Sequence, residues 1–446
     1  MGRVTSLLWF RRDLRLGDNP ALRLALEDGP VLPLFVVDPR LWRASGAPRR
    51  AYLAASLRSL DAGLRSIGGS LSVTEGDPRR RIVEAARAVG ADRVHAAADY
   101  APYGRRRDEA VEETLAAEGI ELVRTGSPYA VAPGRVLNQA GDPYRVFTPF
   151  SKAWADHGWR GPVAAPTGGE WLRHREGEDL PAADWPDGLR PPPVGEEAAR
   201  ARWREFAAEQ LGDYADDRNR PDLDSTSRLS PALRWGEIHP RTLLADLGRH
   251  HGPGAATFRS ELAWREFYAD VLFHHPHTAR DYLRPEFSGM EYDDPGPLLE
   301  AWKEGRTGFP IVDAGMRQLL ATGWMHNRVR MIVASFLVKD LHLEWQHGAR
   351  HFMQHLVDGD LASNQHGWQW VAGSGTDAAP YFRVFNPTTQ GRSFDPDAAY
   401  VRRWVPELAD CADPHEPGAV EGYPAPVIDH AAERREALAR FERIRG

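Results

Sequence analysis

Cysteine is nearly absent: Cys411 is the only one in 446 residues, so the chain offers neither an internal disulfide nor a cysteine-based metal site. That usage suits a reducing compartment, and a cytoplasmic location is the expectation. No apolar run is long enough to cross a bilayer, and the opening M-G-R-V-T-S-L-L-W-F lacks the basic, apolar and small-residue succession of a secretory signal. No G-x-G-x-x-G follows the first strand-like run, so the usual dinucleotide fingerprint is missing. The H-E-x-x-H, triad and paired-acid spacings of hydrolases are missing too. A basic charge balance is also lacking. The net charge of −7 argues against a uniformly basic nucleic-acid footprint. Net charge is an average, however, and arginine, which grips phosphate in a bidentate way, dominates the basic residues, so a local basic groove stays open.

What is present is enough chain for two cores. A composition of 42% hydrophobic and 27% charged residues is that of a globular protein. Short apolar or β-branched runs at Val4 to Phe10, Val31 to Val37, Leu71 to Glu75, Arg93 to Ala98 and Ile120 to Arg124 alternate with helical patterns at Arg50 to Ile67, Arg79 to Ala88 and Arg105 to Glu118. This beat predicts a doubly wound parallel α/β sheet of five strands. From about Gly158 to Gly195 proline and glycine interrupt any period, as a linker does. Beyond it 3.6-residue periodicity dominates, as in Trp345, Ala349, Phe352, Met353, Leu356 and Val357, or in Val312, Met316, Leu319 and Leu320 behind Pro310. The expected division is an α/β domain over 1–128, a connecting segment over 129–200 and an all-α domain over 201–446, with no internal repeat.

Four constellations in the helical part carry chemistry. D-G-D-L-A-S-N-Q-H-G-W-Q-W, from Asp358 to Trp370, sets two carboxylates and an amide among tryptophans, which suits a planar, polar-edged cofactor. It runs on into G-S-G-T-D-A-A-P-Y-F-R-V-F-N-P-T-T-Q-G, where Arg383 and Gln390 are free to meet a polyanion. Glu261, Trp264, Arg265 and Tyr268 fall at i, i+3, i+4 and i+7, giving one helix face an acid, an indole, a guanidinium and a phenol. That face fits either a wet cavity or a surface ion-pair stripe. G-W-M-H-N-R-V-R-M places Asn327 and Met331 one turn apart at a helix start, with Arg328 and Arg330 beside them. Finally, D-S-T-S-R-L-S-P-A-L-R-W-G puts hydroxyls at Ser225, Thr226, Ser227 and Ser230 before a helical run, where they and free N–H groups can meet phosphate.

Together with L-L-W-F-R-R-D-L-R-L-G-D-N-P-A-L at the N-terminus, W-R-E-F-Y, G-R-T-G-F-P-I-V-D-A-G-M-R-Q-L and Y-P-A-P-V-I-D-H, these motifs resemble the photolyase/cryptochrome family, and within it most nearly the class I cyclobutane pyrimidine dimer photolyases. The resemblance implies a U-shaped FAD, reduced to FADH⁻, that on blue-light excitation gives an electron to a flipped-out dimer in DNA. Carried over by motif, Tyr214, Thr226, Ser227, Arg228, Leu229, Ser230 and Arg265 would hold the ribityl-phosphate side. Asn327, Asp358, Gly359 and Asp360 would edge the isoalloxazine, with Arg330 pairing Asp358. Asn364 would face flavin N5, where a neutral amide supplies no proton and so favours the anionic reduced form.

On the lesion side, the resemblance implies that Glu261 bonds the dimer's carbonyl edge, that Asn327 and Met331 touch its bases, and that Trp264 and Trp370 stack on it. Arg218, Arg328, Arg383 and Gln390 would hold flanking phosphates, which fixes position rather than sequence. A monomer acting on dimer-containing DNA, cytoplasmic and reaching the nucleoid through that DNA, is the expected form. A cryptochrome-like light sensor is the alternative; it would keep the FAD site and lose these lesion contacts. A (6-4) photolyase would carry a histidine pair where this chain has His326 and Asn327.

The chain departs from the family pattern in three places. Trp368 and Trp345 match the first two members of the photoreduction chain, but its surface position falls on Tyr292, with Trp302 a candidate stand-in. Gln365 and His366 replace smaller residues after Asn364 and are expected to adjust the pocket rim. In D-Y-A-P-Y-G-R-R-R-D, Ala101 stands where folate-binding members use an acid, so a deazaflavin antenna is favoured over folate.

Overall fold

The computed structural model describes residues 4–173, 180–376, 382–418 and 420–445; the D-A-A-P-Y stretch at 377–381 lies outside them. Five strands, β1 (Ser6–Phe10), β2 (Val31–Val37), β3 (Ser72–Glu75), β4 (Arg93–Ala96) and β5 (Glu121–Arg124), form one sheet in the order β3-β2-β1-β4-β5, every pair parallel. Four of the five are one or two residues shorter than the apolar runs that predict them, because pairing ends before apolarity does. β1 and β2 are buried at every residue, as strands covered on both faces must be. Leu8 and Phe10 pack with Tyr52 and Leu57 of the Ala47–Ser66 helix, while Leu7 and Trp9 pack with Ile82 and Val111 of the Pro78–Val89 and Pro102–Ala116 helices. The two-residue period of the strand therefore builds two separate cores.

After β5 the described residues form no further named strand. Helix Phe147–His157 lies inside the 129–200 span and rests on the long helix Pro253–His274. The described part of 158–195 has no helix; Trp171 instead bridges Val31 and donates its indole N–H to Ile67 O at 3.0 Å, so this segment returns to the sheet. The largest core of the molecule lies among the C-terminal helices, with Trp302, Trp345, Phe336 and Tyr400 all at 1% exposure or less.

One contact fixes how the two halves meet. Gly236, with φ +71°, ends the short helix Ser230–Trp235, and a Cβ there would lie 1.9 Å from the Arg12 carbonyl oxygen. Glycine is required both for the left-handed turn and for the close approach. Arg12 lies two residues beyond the end of β1, on the side of the sheet where the carboxyl ends of β1 and β4 flank the reversal of strand order, the place where open α/β sheets bind ligands.

Candidate functional site

The floor of the site is built around Asp358 and Asp360, at the entry to helix Leu361–Ala372. Asp358 Oδ2 accepts from Ser230 Oγ at 2.6 Å and from Arg330 Nη2 at 2.8 Å. The Arg330 Nε–H is tied to Met325 O at 2.8 Å, which fixes the guanidinium plane. Asp358 Oδ1 is buried with no hydrogen-bond partner among the described residues. Asp360 caps the helix by accepting from Ser363 N at 3.2 Å, and its Oδ2 takes Arg12 Nη2 at 2.6 Å. Burial alone would raise the Asp360 carboxyl, but Arg12, Arg234 and Arg265 outweigh it and hold the group well below the usual carboxylate range. Arg234 and Arg49 both reach the Gly359 carbonyl, at 3.0 Å and 3.5 Å. Burial pushes Arg234 down to about 9, with Arg12 adding to the effect, and one of its guanidinium nitrogens has no partner among the described residues. Burial likewise lowers Arg49 to about 10. Four guanidiniums thus converge on two carboxylates, a cationic excess that is costly to bury without an anion.

Beside this floor the Asn364 amide has one orientation. Its Nδ2 donates to Ala349 O at 3.1 Å and to Gln365 Oε1 at 2.8 Å, while Gln365 Nε2 donates to Ala279 O at 2.7 Å. Two main-chain carbonyls thereby fix both side chains, and Asn364 Oδ1 is the atom left over. Gln365 acts by orienting its neighbour. His366 is fully buried against Tyr268 and Thr278, so the expectation of a pocket-rim residue is corrected: its helix turns it inward.

The hydroxyl-rich segment is only partly available. Ser225 donates back to Asp217 O at 3.0 Å and is turned away from the site. Arg202 holds the carbonyls of Thr226 and Ser227 at 2.6 Å and 3.1 Å. Arg228 takes φ +51°, pairs with Asp224 at 2.9 Å and lies 5.0 Å from the Trp324 ring, and this turn delivers buried Leu229 and then Ser230 to Asp358. Arg265 donates to Pro128 O and Leu233 O and lies 4.7 Å over Tyr129, bracing the domain junction while adding positive charge near Asp360.

The mouth has a different character. Glu261, Trp264, Arg265 and Tyr268 are all half-buried, whereas the four residues between them in turn, Leu262, Ala263, Glu266 and Phe267, are buried. The stripe therefore borders a recess. Glu261 is raised by burial, with Arg218 at 2.8 Å pulling the other way, and burial also raises the nearby phenol of Tyr214. Trp264 lies flat on Phe147, ring centroids 3.7 Å apart, so one indole face is already occupied by the 147–157 helix. Asn327, exposed, opens the Asn327–Ser335 helix, with half-buried Met331 one turn on and half-buried Trp370 on the neighbouring helix. Arg328 donates to Asn219 at 2.9 Å and is lowered by burial and by the nearby charges of Arg218 and Arg383, which places the three cations in one cluster. Arg383 is exposed over Phe385, and the buried Lys339 ammonium donates to the Arg383 carbonyl. Gln390 is half-buried on the Pro387–Phe394 helix.

The aromatic residues near Asn364 form two contact groups, Trp302 with Trp368 and Tyr282 with Trp345. Trp368 and Trp345 are both buried, and a Cβ on Gly348 would meet Trp368 at 2.0 Å, so glycine lets that indole settle on the Trp345–His355 helix. Trp302 meets Trp368 edge-on at 6.1 Å. Tyr292 is half-buried near Tyr282, and Tyr282 meets Trp345 edge-on at 6.3 Å.

Sequence reasoning missed Arg12, Arg49, Arg234, Phe147 and Lys339 as parts of the site. Arg12 and Arg234 lie inside motifs quoted above, but nothing local marks them as partners of residues some 348 and 125 positions away in the chain.

Comparison with known proteins agrees with this geometry. Residues 6–167 match the family model described as DNA photolyase, and residues 258–443 match the one described as FAD binding domain of DNA photolyase. The deoxyribodipyrimidine photo-lyase of Streptomyces griseus is 44% identical, covering 99% of this chain and 99% of its own. That of Escherichia coli is 39% identical over 99% of both. Among solved structures, a bacterial class III photolyase from Agrobacterium tumefaciens superposes with TM-score 0.91 at 35% identity, covering 100% of this chain and 98% of its own. An archaeal photolyase from Sulfolobus tokodaii with two FAD molecules gives 0.87 at 30% identity, covering 99% of this chain and all of its own. The helical half is thus an FAD-binding domain joined to a photolyase-type α/β domain. The chain belongs to the DNA photolyase family.

Proposed function

We propose that this protein is a light-driven DNA repair lyase that splits cyclobutane pyrimidine dimers, using FAD in the cavity between the Ser230, Asn327 and Leu361 helices. When bound, reduced flavin supplies one electron to the dimer on excitation and takes it back after the ring opens. The observation that carries the reading is the buried acceptor Asp358 Oδ1, left without a partner among the described residues beside a guanidinium-rich floor, with the Asn364 amide oriented next to it by its two donor bonds. A flavin dinucleotide complements that set, with N–H and hydroxyl donors on its ring edge and ribityl chain and an anionic pyrophosphate.

In this reading Tyr214, Thr226, Ser227, Arg228, Leu229, Ser230 and Arg265 line the ribityl-phosphate side, and Arg330, Asp358, Gly359 and Asp360 line the ring edge. Glu261, kept towards its neutral acid by burial, donates its proton in a hydrogen bond to a dimer carbonyl and so steadies the negative charge that develops there. Trp264 and Trp370 stack against the extruded bases, and Asn327 and Met331 border them. Arg218, Arg328, Arg383 and Gln390 meet the flanking phosphates, which makes binding lesion-specific and sequence-tolerant. The protein acts as a cytoplasmic monomer that reaches the nucleoid through its DNA substrate. No described helix is long and apolar enough to cross a membrane.

An antenna chromophore sits in the sheet crevice, and a deazaflavin suits it better than folate because Ala101 offers no carboxylate. The test is to illuminate flavin-loaded, chemically reduced protein with a dimer-containing oligonucleotide and follow the return of pyrimidine absorbance. Recovery only in the light supports the proposal; lesion binding without recovery moves the assignment to a light sensor.

A further inference from the structure

We infer that the electron path leading away from the flavin cavity ends in a proton-coupled tyrosine pair, Tyr282 and Tyr292, with the Glu344 carboxylate as the proton acceptor. The inference rests on the proposed flavin reading, since an excited oxidised flavin is the oxidant that starts the path.

The indoles along the path are poorly suited to stop at. Trp368 and Trp345 are 3% and 0% exposed, and neither indole N–H has a hydrogen-bond partner among the described residues. An oxidised indole there has nowhere to send its proton and stays a buried cation, which the returning electron quenches. Trp302 is the other branch, edge-on to Trp368, but its N–H donates to Val333 O at 3.0 Å, and a peptide carbonyl is too weak a base to take that proton. Trp302 is 0% exposed, so external reductants do not reach it.

Tyr282 differs at the one point that matters. Its ring lies edge-on to Trp345 at 6.3 Å and its O–H donates to Glu344 Oε1 at 2.8 Å. Glu344 stands directly before the Trp345–His355 helix and is half-buried, so a proton it receives has a way to solvent. Tyr292 hydrogen-bonds to Tyr282, and its side chain is half-buried where that of Tyr282 is buried. Burial pushes the Tyr292 phenol up to about 12 and raises Tyr282 as well, so neither is a phenolate beforehand and oxidation must be accompanied by proton loss.

The steps balance as follows. Tyr282 gives one electron to the Trp345 radical cation, restoring neutral tryptophan, while its phenolic proton passes to Glu344, leaving a neutral Tyr282 phenoxyl and a protonated acid. Tyr292 then gives its O–H hydrogen atom to the Tyr282 phenoxyl, restoring Tyr282 and leaving the radical on Tyr292. An external thiol or comparable one-electron donor, with a proton, returns Tyr292 to the phenol.

The experiment is laser-flash absorption and electron paramagnetic resonance on full-length protein carrying oxidised FAD. Wild type is expected to show a tryptophan radical that gives way to a long-lived phenoxyl, more slowly in deuterium oxide than in water. Tyr282→Phe and Glu344→Gln, each checked for flavin content and far-ultraviolet circular dichroism, should both lose the long-lived phenoxyl, whereas Trp302→Phe should keep it. The inference is overturned if wild type ends in a persistent tryptophan radical, shows no isotope effect, or keeps its phenoxyl in Glu344→Gln. Wild-type repair by chemically reduced protein is the separate control: its success alongside absence of a phenoxyl sinks only this inference, and a chain that takes up no flavin sinks the reading beneath it.

Discussion

The floor and the mouth of the cavity lie within a few helical turns of each other and are built on opposite terms. On the floor, Asp358, Asp360, Arg12, Arg49 and Arg234 are buried or nearly so, charge meets charge, and most polar atoms are committed. At the mouth, Glu261, Trp264, Asn327, Met331 and Arg383 are half-buried or exposed. Buried ion pairs with satisfied neighbours suit a ligand that stays; half-exposed side chains with spare donors suit one that comes and goes. In the proposed reading, the contrast makes cofactor retention and lesion recognition separable properties of adjoining surfaces.

The strongest attempt to break the contrast is Arg12→Ala. It leaves the Asp360 carboxylate buried without its nearest partner, and removal of one member of a buried pair costs roughly 3–5 kcal/mol. The melting temperature and the flavin-to-protein ratio should fall together. Arg218→Ala at the mouth should leave both close to wild type.

Next in size is Glu261→Ala, which should keep full flavin content while the repair yield per absorbed photon drops severalfold. Because burial raises this carboxyl, wild-type repair should decline as pH climbs through its elevated pKa and the donated proton is lost, and Glu261→Gln should flatten that profile. A variant that loses flavin as well would erase the distinction between floor and mouth.

Smaller again is Arg328→Ala. Affinity for damaged and undamaged DNA should weaken together, and the slope of binding against salt should shrink by about one phosphate contact. Weakening confined to damaged DNA would move Arg328 from backbone positioning to lesion contact.

The smallest effect concerns two buried histidines, one in each region: His326, which caps the Asn327 helix, and His366 beside Asn364. Burial lowers each from the ordinary 6.5 to about 3. Unfolded chains bind those protons first, so their contribution is whole above pH 6.5 and is lost as the pH falls from there towards 3. Denaturant titrations across that range should show the decline, and His366→Asn should soften it.

Legibility from sequence divides along similar lines. β1 and β2 announce themselves because both faces of the sheet are covered there, which turns them into unbroken apolar runs, whereas the shorter, mixed β3, β4 and β5 were legible from their alternation with helices. The mouth was legible because Glu261, Trp264 and Tyr268 share one helix face, a periodicity written in the local sequence. The floor was half legible: Asp358, Asp360 and Asn364 cluster in one motif, but their partners Arg12, Arg49 and Arg234 arrive by tertiary approach that no spacing encodes. Helix Phe147–His157, whose Phe147 backs Trp264, was obscured by Pro149 and the proline-rich segment behind it, though proline in a first turn is tolerated.

The seam at Gly236 has an optical consequence. Because the end of the Ser230–Trp235 helix touches the Arg12 backbone with no side chain between them, and Arg12 is clamped in turn to Asp360, the sheet crevice and the flavin floor are held at one distance and one mutual angle. Radiationless energy transfer between two dyes weakens steeply with separation and vanishes when their transition dipoles are crossed. With the proposed antenna chromophore in the crevice, a Gly236→Ala change would therefore detune light harvesting by altering alignment, even where each dye stayed bound and kept its own colour.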